Sequence, residues 1–245
     1  MSQLHRLRVD NIRFENLTFG FENNAKIFQN TTFDFPLDQI VWIKGESGAG
    51  RSTLLQLQAG LLIPEQGAYV MNGENVSEMS FEEFLPYRLN IGYGFDLGGV
   101  LYNKTLEENL TLPLLYHKVL SPNEAAQRAM IYMEDLGISK YQHLRPSVVP
   151  GGVRKLVCLI RALIMHPQIL LLDDPSVGLG QETALKFFDL VDELRQQGEL
   201  RHVFLSSFDD KLMSVVNPTM VAIDNGQLYL HEAEDDSGEK KAVAA

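Results

Sequence analysis

The stretch Gly45-Glu46-Ser47-Gly48-Ala49-Gly50-Arg51-Ser52-Thr53 constrains this chain more than any other. It follows Gln39 to Ile43, an apolar run rich in β-formers. It opens a pattern that reads as a short helix from near Arg51 to Gly60. A glycine-rich turn from strand to helix is the context of a phosphate-binding P-loop. The glycines let backbone N–H groups converge on phosphate oxygens, and the helix N-terminus adds partial positive charge. In such a loop Ser52 is placed to ligate Mg²⁺. One position departs from the pattern, because Arg51 stands where lysine is expected. A guanidinium is planar and larger than an ammonium, so the exchange is not conservative.

The rest of the chain alternates strand and helix signals, which predicts an α/β domain with a mostly parallel sheet. Ile12 to Phe21 reads as a strand, with a polar turn around Asn23 and Asn24. Ala68 to Met71 reads as a strand closed by Asn72-Gly73. Helical character dominates roughly 97–165. There Ser121-Pro122-Asn123-Glu124 supplies a capping box with proline at the first helical position, and Gly137 stops that helix. Gln168 to Leu172 is a short all-apolar run of the kind found in buried parallel strands. A helix is expected over Glu182 to Gln197, then a strand at His202 to Leu205. Asn225-Gly226 between two apolar runs predicts a hairpin.

Composition narrows the function classes. The net charge of −11, from 21 basic and 32 acidic residues, argues against nucleic acid as the main partner. No run approaches the roughly 20 apolar residues that span a bilayer, so no direct membrane span is expected. The N-terminus is too short and polar for a secretory signal. The one cysteine, Cys158, excludes an internal disulfide and is expected to be buried and inert; Trp42 is expected in the core. The histidines show no metal-ligand spacing.

Further motifs follow in order. Ile169 to Leu172 runs into Asp173-Asp174-Pro175, a strand of the type that brings its first carboxylate beside the Mg²⁺ of a P-loop site. Gly151-Gly152 precedes an apolar helix. This series resembles the nucleotide-binding subunit of an ABC transporter, from about residue 12 to residue 230. Gly45 to Thr53 resembles its Walker A motif and Leu170 to Pro175 its Walker B. Val149-Pro150-Gly151-Gly152-Val153 resembles its LSGGQ signature, and Ser176 to Gly180 its D-loop. Ile91 to Asp96 resembles the start of the Q-loop. Phe21 is placed like the aromatic that stacks on adenine, and Leu205 to Asp209 lies where the switch-histidine strand ends. A narrower resemblance, to Mce/Mla-type lipid transporter ATPases, rests on Phe95 to Leu101, Thr105 to Asn109, Leu112-Pro113-Leu114 and Gly152 to Lys155.

The resemblance implies a P-loop NTPase fold of the ABC type, with a mostly parallel core sheet, an N-terminal antiparallel β lobe and a helical signature lobe. It implies one nucleotide-binding domain over 1–231, its helical subdomain at about 97–165, and a mobile charged tail over 232–245. ATP and Mg²⁺ are the implied cofactors, with Phe21 and Gly45 to Thr53 at the nucleotide and Ser52 and Asp173 at the metal. Pro150, Gly151 and Gly152 act in trans on a second ABC subunit, in a homo- or heterodimer. Integral membrane permease subunits are the implied partners, and the implied location is cytoplasmic, peripheral on the inner membrane. Leu97, Val100, Leu101 and Tyr102 offer apolar groups to a coupling helix of the permease.

Departures from the family pattern gather on the chemistry. Arg51 replaces the phosphate lysine, Asp96 the Q-loop glutamine, Pro150 the signature serine, Asp174 the catalytic glutamate, Gly180 the D-loop aspartate and Ser207 the switch histidine. Asp174 keeps a carboxylate one methylene shorter, a weak general base. Pro150 lacks a hydroxyl and an N–H. Losing one preorganised transition-state donor costs roughly 10²–10³ in rate, so the expected turnover is weak or absent. Two readings stay open: an ATP-binding subunit coupling dimer closure to permeases, and a pseudo-ATPase that scaffolds or regulates a membrane complex. A soluble ABC protein of DNA repair or translation is disfavoured by the acidic balance.

Overall fold

The computed structural model describes residues 7–22, 25–96 and 99–231. The predicted turn residues Asn23 and Asn24, the docking residue Leu97 with its neighbour Gly98, and the 232–245 tail lie outside the described residues. The chain divides into two compact units, one running to Asn90 and resuming at Arg201, the other from Ile91 to Leu200.

In the first unit, β1 (Ile12–Phe19), β2 (Phe28–Asp34), β4 (Gln66–Met71) and β5 (Glu74–Asn75) form an antiparallel sheet in the order β2-β1-β4-β5. Asn72 (φ 53°) and Gly73 (φ 81°) make the turn between β4 and β5. The same unit carries β3 (Ile40–Lys44), parallel to β8 (His202–Ser206) on one side and to β9 (Thr219–Asp224) on the other. Strand β10 (Gln227–His231) pairs antiparallel with β9 through the expected hairpin. Asn225 at φ 47° and Gly226 at φ 72° supply the two positive-φ positions of a type I′ turn. Helices α1 (Arg51–Gln58), α2 (Phe81–Arg88) and α7 (Asp210–Val216) complete the unit.

The two sheets of this unit meet over aromatic rings. Phe35 packs edge-on to Phe14 (4.9 Å), Phe33 (5.1 Å) and Phe204 (5.7 Å), the geometry that ring quadrupoles favour. Thr31 Oγ1 donates to the Gly226 carbonyl at 2.7 Å, joining β2 to the hairpin. Buried His202 is held as a neutral ring between the Asp38 amide, which donates to Nδ1, and the Val9 carbonyl at Nε2, both at 2.9 Å. Its burial pushes the imidazole pKa below the ordinary value.

The second unit pairs β6 (Ile91–Gly94) parallel with β7 (Ile169–Leu172) and carries α3 (Leu106–Tyr116), α4 (Pro122–Asp135), α5 (Gly151–Leu163) and α6 (Gln181–Gln196). All of β7 is buried, as its unbroken apolar run predicts. Gly92 has no room for a side chain, because a Cβ there would lie 1.9 Å from the Ala162 carbonyl oxygen. That close approach seats α5 on β6. The predicted capping box of α4 is present in both directions, between Ser121 and Glu124, and Gly137 at φ 70° ends the helix.

Candidate functional site

Strand β3 delivers the chain into the glycine loop and α1 leaves it. The Ala49 amide closes a turn onto the Glu46 carbonyl at 3.0 Å, and the Leu54 amide donates to Gly50 at 2.8 Å as the first bond of α1. Gly48 and Gly50 stand at φ 84° and 103°, a region that side chains disfavour. Gly50 is doubly required, since a Cβ would lie 2.3 Å from Ile27 Cγ2. No side chain caps α1 and no acidic residue lies in its first turn. The partial positive charge of this helix start is therefore not offset by a side chain of its first turn. Glu46, Ser47, Gly48 and Ser52 are exposed, whereas Thr53 is buried in the unit. Phe21 is exposed, standing edge-on to Phe19 at 5.2 Å.

Arg51 is the first residue of α1 and is only 8% exposed. Its guanidinium carbon lies 3.4 Å from the centroid of the Phe208 ring. Ser207, expected at the switch position, does not offer its hydroxyl to the loop. It is buried, its Oγ accepts the Asp209 amide at 3.0 Å, and its carbonyl accepts Trp42 Nε1 at 3.1 Å. The residue that meets the loop cation is Phe208, which the sequence reading passed over.

The second unit carries the remaining motifs. Asp173 follows β7, is 7% exposed, and donates its amide to the Gly94 carbonyl at 2.8 Å. Asp174 follows at φ 41°, a left-handed position that aspartate tolerates better than most side chains. Pro150 is the N-cap of α5 and offers no side-chain cap, although its carbonyl accepts the Val153 (3.1 Å) and Arg154 (3.2 Å) amides. Gly152 abuts the next motif, with its Cβ position 3.1 Å from the Gly178 carbonyl. Arg154 Nη1 donates to the carbonyls of Val149 (2.8 Å) and Pro146 (3.2 Å), pinning the loop before the helix.

Lys155 turns inward and is 7% exposed. Its ammonium donates to the carbonyls of Asp96 (2.9 Å), Phe95 (3.1 Å) and Asp173 (3.5 Å), and the Asp96 carboxylate lies 3.8 Å away. Burial lowers its pKa, an effect that Asp96 opposes. Asp96, Arg154, Lys155, Cys158 and Gly178 line a cavity of about 300 Å³. The Phe95-Asp96 segment and Asp173, just after β7, are thus joined by one buried ammonium. Cys158 is buried, as expected, and its thiol pKa is pushed up by that burial.

Beside this cluster, Asn109 is buried. Its amide group accepts from the Leu101 N–H (2.7 Å) and donates to the carbonyls of Leu101 (3.0 Å) and Thr105 (2.8 Å). This ties the loop to α3 and turns Val100 into the core. Of the expected docking groups, Val100 is therefore buried and not available, whereas Leu101 and Tyr102 are exposed with Leu112, Leu115 and Tyr116 of α3.

The family profile described as "ABC transporter" matches residues 28–177. The chain belongs to the ABC transporter family. Among its relatives, the lipoprotein-releasing system ATP-binding protein LolD of Coxiella burnetii is 32% identical over 206 residues, covering 82% of this chain and 86% of LolD. The intermembrane phospholipid transport system ATP-binding protein MlaF of Haemophilus influenzae is 26% identical over 213 residues, covering 87% and 80%. The narrower resemblance to Mla-type ATPases therefore does not single out one branch of the ABC family. The dimeric ATP-binding cassette MJ0796, solved with ADP and Pi in a post-hydrolysis state, superposes with a TM-score of 0.80 at 22% identity, over 89% of this chain and 96% of that one. This ABC chain has the cassette fold: an α/β P-loop architecture with an antiparallel β sheet, parallel strands and helices, as its motifs predicted. Among the described residues, no helix is long and apolar enough to cross a membrane.

Proposed function

We propose that this chain is the ATP-binding subunit of a membrane ABC transport system, acting on the cytoplasmic face, and that it holds nucleotide with weak or absent hydrolysis. The observation that carries the binding half is the loop itself. Gly48 and Gly50 keep the positive φ that turns amides inward, and α1 begins with no cap of its own. Gly45 to Thr53 would cradle the phosphates, Phe21 would stack on the base, and Mg²⁺ would use the exposed Ser52 hydroxyl, Asp173 being the carboxylate that the family resemblance implies for the same ion. Hard oxygen donors few in number suit that ion, which keeps phosphate and water oxygens for the rest of its shell. Bound there, Mg²⁺ would neutralise phosphate charge.

What supports weak turnover is the set of exchanged groups. Phe208 and Ser207 bring no imidazole, Asp174 is a shortened base, and Pro150 brings neither hydroxyl nor N–H to a second ABC subunit. The exposed Leu101, Tyr102, Leu112, Leu115 and Tyr116 form an apolar surface for a permease helix. Lipid or lipid-linked cargo is the substrate class we favour, since LolD and MlaF are both named for it. The same exchanges favour a second reading, a regulatory pseudo-ATPase of the same complex.

Titration of purified protein with ATP and Mg²⁺, followed by phosphate-release kinetics, tests the proposal. Saturable binding with turnover far below about 1 s⁻¹ is expected. Turnover at ordinary enzyme rates, about 1–100 s⁻¹, would refute the hydrolytic half, and no binding would refute the whole. Lipid bound to the complex purified with its permease tests the substrate class.

A further inference from the structure

Arg51 is a cation at the wrong end of a helix. The N-terminus of α1 carries partial positive charge, with no acidic residue in its first turn to offset it. A guanidinium differs from an ammonium in having a flat, weakly hydrated face as well as an edge, and all five of its N–H donors lie in the plane. Here the face lies on a ring, with Phe208 centred 3.4 Å from the guanidinium carbon. Such stacking is electrostatically favourable and satisfies the face, while the donors stay directed along the edges.

The ring is itself fixed from both sides in sequence. Before it, the Ser207 carbonyl is held by Trp42 Nε1, on the strand that feeds the glycine loop. After it, Asp209 caps α7 by accepting the Leu212 amide at 3.0 Å, and the Ser207 hydroxyl secures the Asp209 amide. Phe208 is nonetheless 61% exposed. A large apolar ring held in that state contributes little to the core, so its placement calls for another account.

We propose that Phe208 is a positioning residue for the loop cation, its ring setting the plane in which Arg51 presents its N–H fork to the phosphate tail of a nucleoside triphosphate. This rests on the proposed nucleotide binding. On this account arginine in the loop and phenylalanine after β8 are one paired exchange, since a lysine ammonium has no plane to set.

Calorimetric titration with ATP and Mg²⁺ across a double-mutant cycle tests it, using wild type, F208L, F208W, R51K and R51K/F208L. Loss of the ring in F208L should weaken ATP binding about 5–30-fold, the range that a cation–π contact supports. F208W, which keeps an aromatic face, should restore most of that affinity. In the R51K background the F208L step should cost less than about twofold. Melting temperatures of F208L and F208W should stay close to wild type, because the ring is largely outside the core. Unchanged binding by F208L overturns the inference alone. So does tighter binding, which would mean that the ring holds Arg51 off the phosphate. An equal F208L cost in the R51K background also overturns it, because Phe208 would then act through some other group. Absence of ATP binding by the wild type overturns the proposed function and this inference together.

Discussion

Helices α2, α3 and α4 begin at Ser80, Thr105 and Ser121 with reciprocal capping boxes to Glu83, Glu108 and Glu124, whereas α1 and α5 begin at Gly50 and Pro150 with no side chain on their leading amides. The capped helices satisfy their own orphan donors, and hydrogen bonds from the capping residues, chiefly the backbone amide at Glu83 and Glu108 and the Ser121 side chain at Glu124, hold the pKa of each of the three glutamates below the ordinary carboxylate value. Helix α6 also begins without a side-chain cap, at Gly180, so an uncapped start does not by itself mark phosphate binding; α1 and α5 are the two that the family pattern assigns to phosphate. They are not equivalent, however. The loop before α1 keeps its positive-φ glycines and an uncapped helix start, and carries arginine as its cation. The loop before α5 has lost a donor at Pro150, and its Lys155 is directed into the protein. On the proposed function, binding and catalysis differ in where they depart from the family pattern, one in a side chain on the loop and the other at a backbone donor.

The strongest way to break this contrast is Gly50→Ala. The φ of 103° and the 2.3 Å approach to Ile27 combine strain with overpacking, and a loss of about 3–5 kcal/mol is expected in chemical denaturation. Gly48→Ala, at φ 84° with nothing within 4 Å, should cost only about 1–2 kcal/mol. Equal costs at the two positions would mean that φ alone governs the loop.

Lys155→Met comes next. It strands the carbonyls of Phe95 and Asp96 in a buried place and should cost about 2–4 kcal/mol. The pH dependence has a definite sign. Burial lowers the folded-state pKa of Lys155 below 10.5, so just under that value the unfolded chain binds more protons than the folded one. Stability from this group then rises with pH. The difference in unfolding free energy between wild type and Lys155→Met should widen as the pH rises toward 10.5. A difference that narrows would show the ammonium to be net stabilised by Asp96.

The capped helices provide the milder test. Ser121→Ala should cost about 1 kcal/mol, seen as a lower melting temperature, with no change in ATP affinity. A change in affinity would join α4 to the nucleotide site and dissolve the distinction between the two kinds of helix start.

The same distinction governs what could be read from the sequence. Devices that act within a few residues were legible: the Ser121–Glu124 box, the Asn225-Gly226 turn, the all-apolar β7 and the glycine loop. Strand β2 was missed because FQNTTFD buries only alternate parts of a polar run and Asn30, at φ 50°, breaks the alternation. Helix α2 was missed because Pro86 interrupts a weak apolar pattern, although Ser80-Phe81-Glu82-Glu83 carries a capping box in plain view. The Arg51–Phe208 stack and the Lys155 cluster were beyond local reading, since each joins segments far apart in the chain. Their only trace was an arginine and a lysine in places that needed explaining.

Pro150→Ser should have the smallest effect on stability and is the most direct probe of the difference between α1 and α5. A serine N-cap adds about 1 kcal/mol by satisfying a leading amide. Removing proline at φ −56°, a value that its ring favours, frees the unfolded chain and subtracts about 0.4–1 kcal/mol. The two terms nearly cancel, so the melting temperature should move by no more than a degree or two. Function need not follow stability. The variant regains a hydroxyl and an N–H at the start of α5, so self-association in the presence of ATP, read by light scattering, should increase if the signature acts on a second subunit. No increase, with the fold unchanged, would mean that the α5 loop has lost its phosphate role beyond what one residue restores, and that α1 and α5 share only the appearance of their uncapped starts.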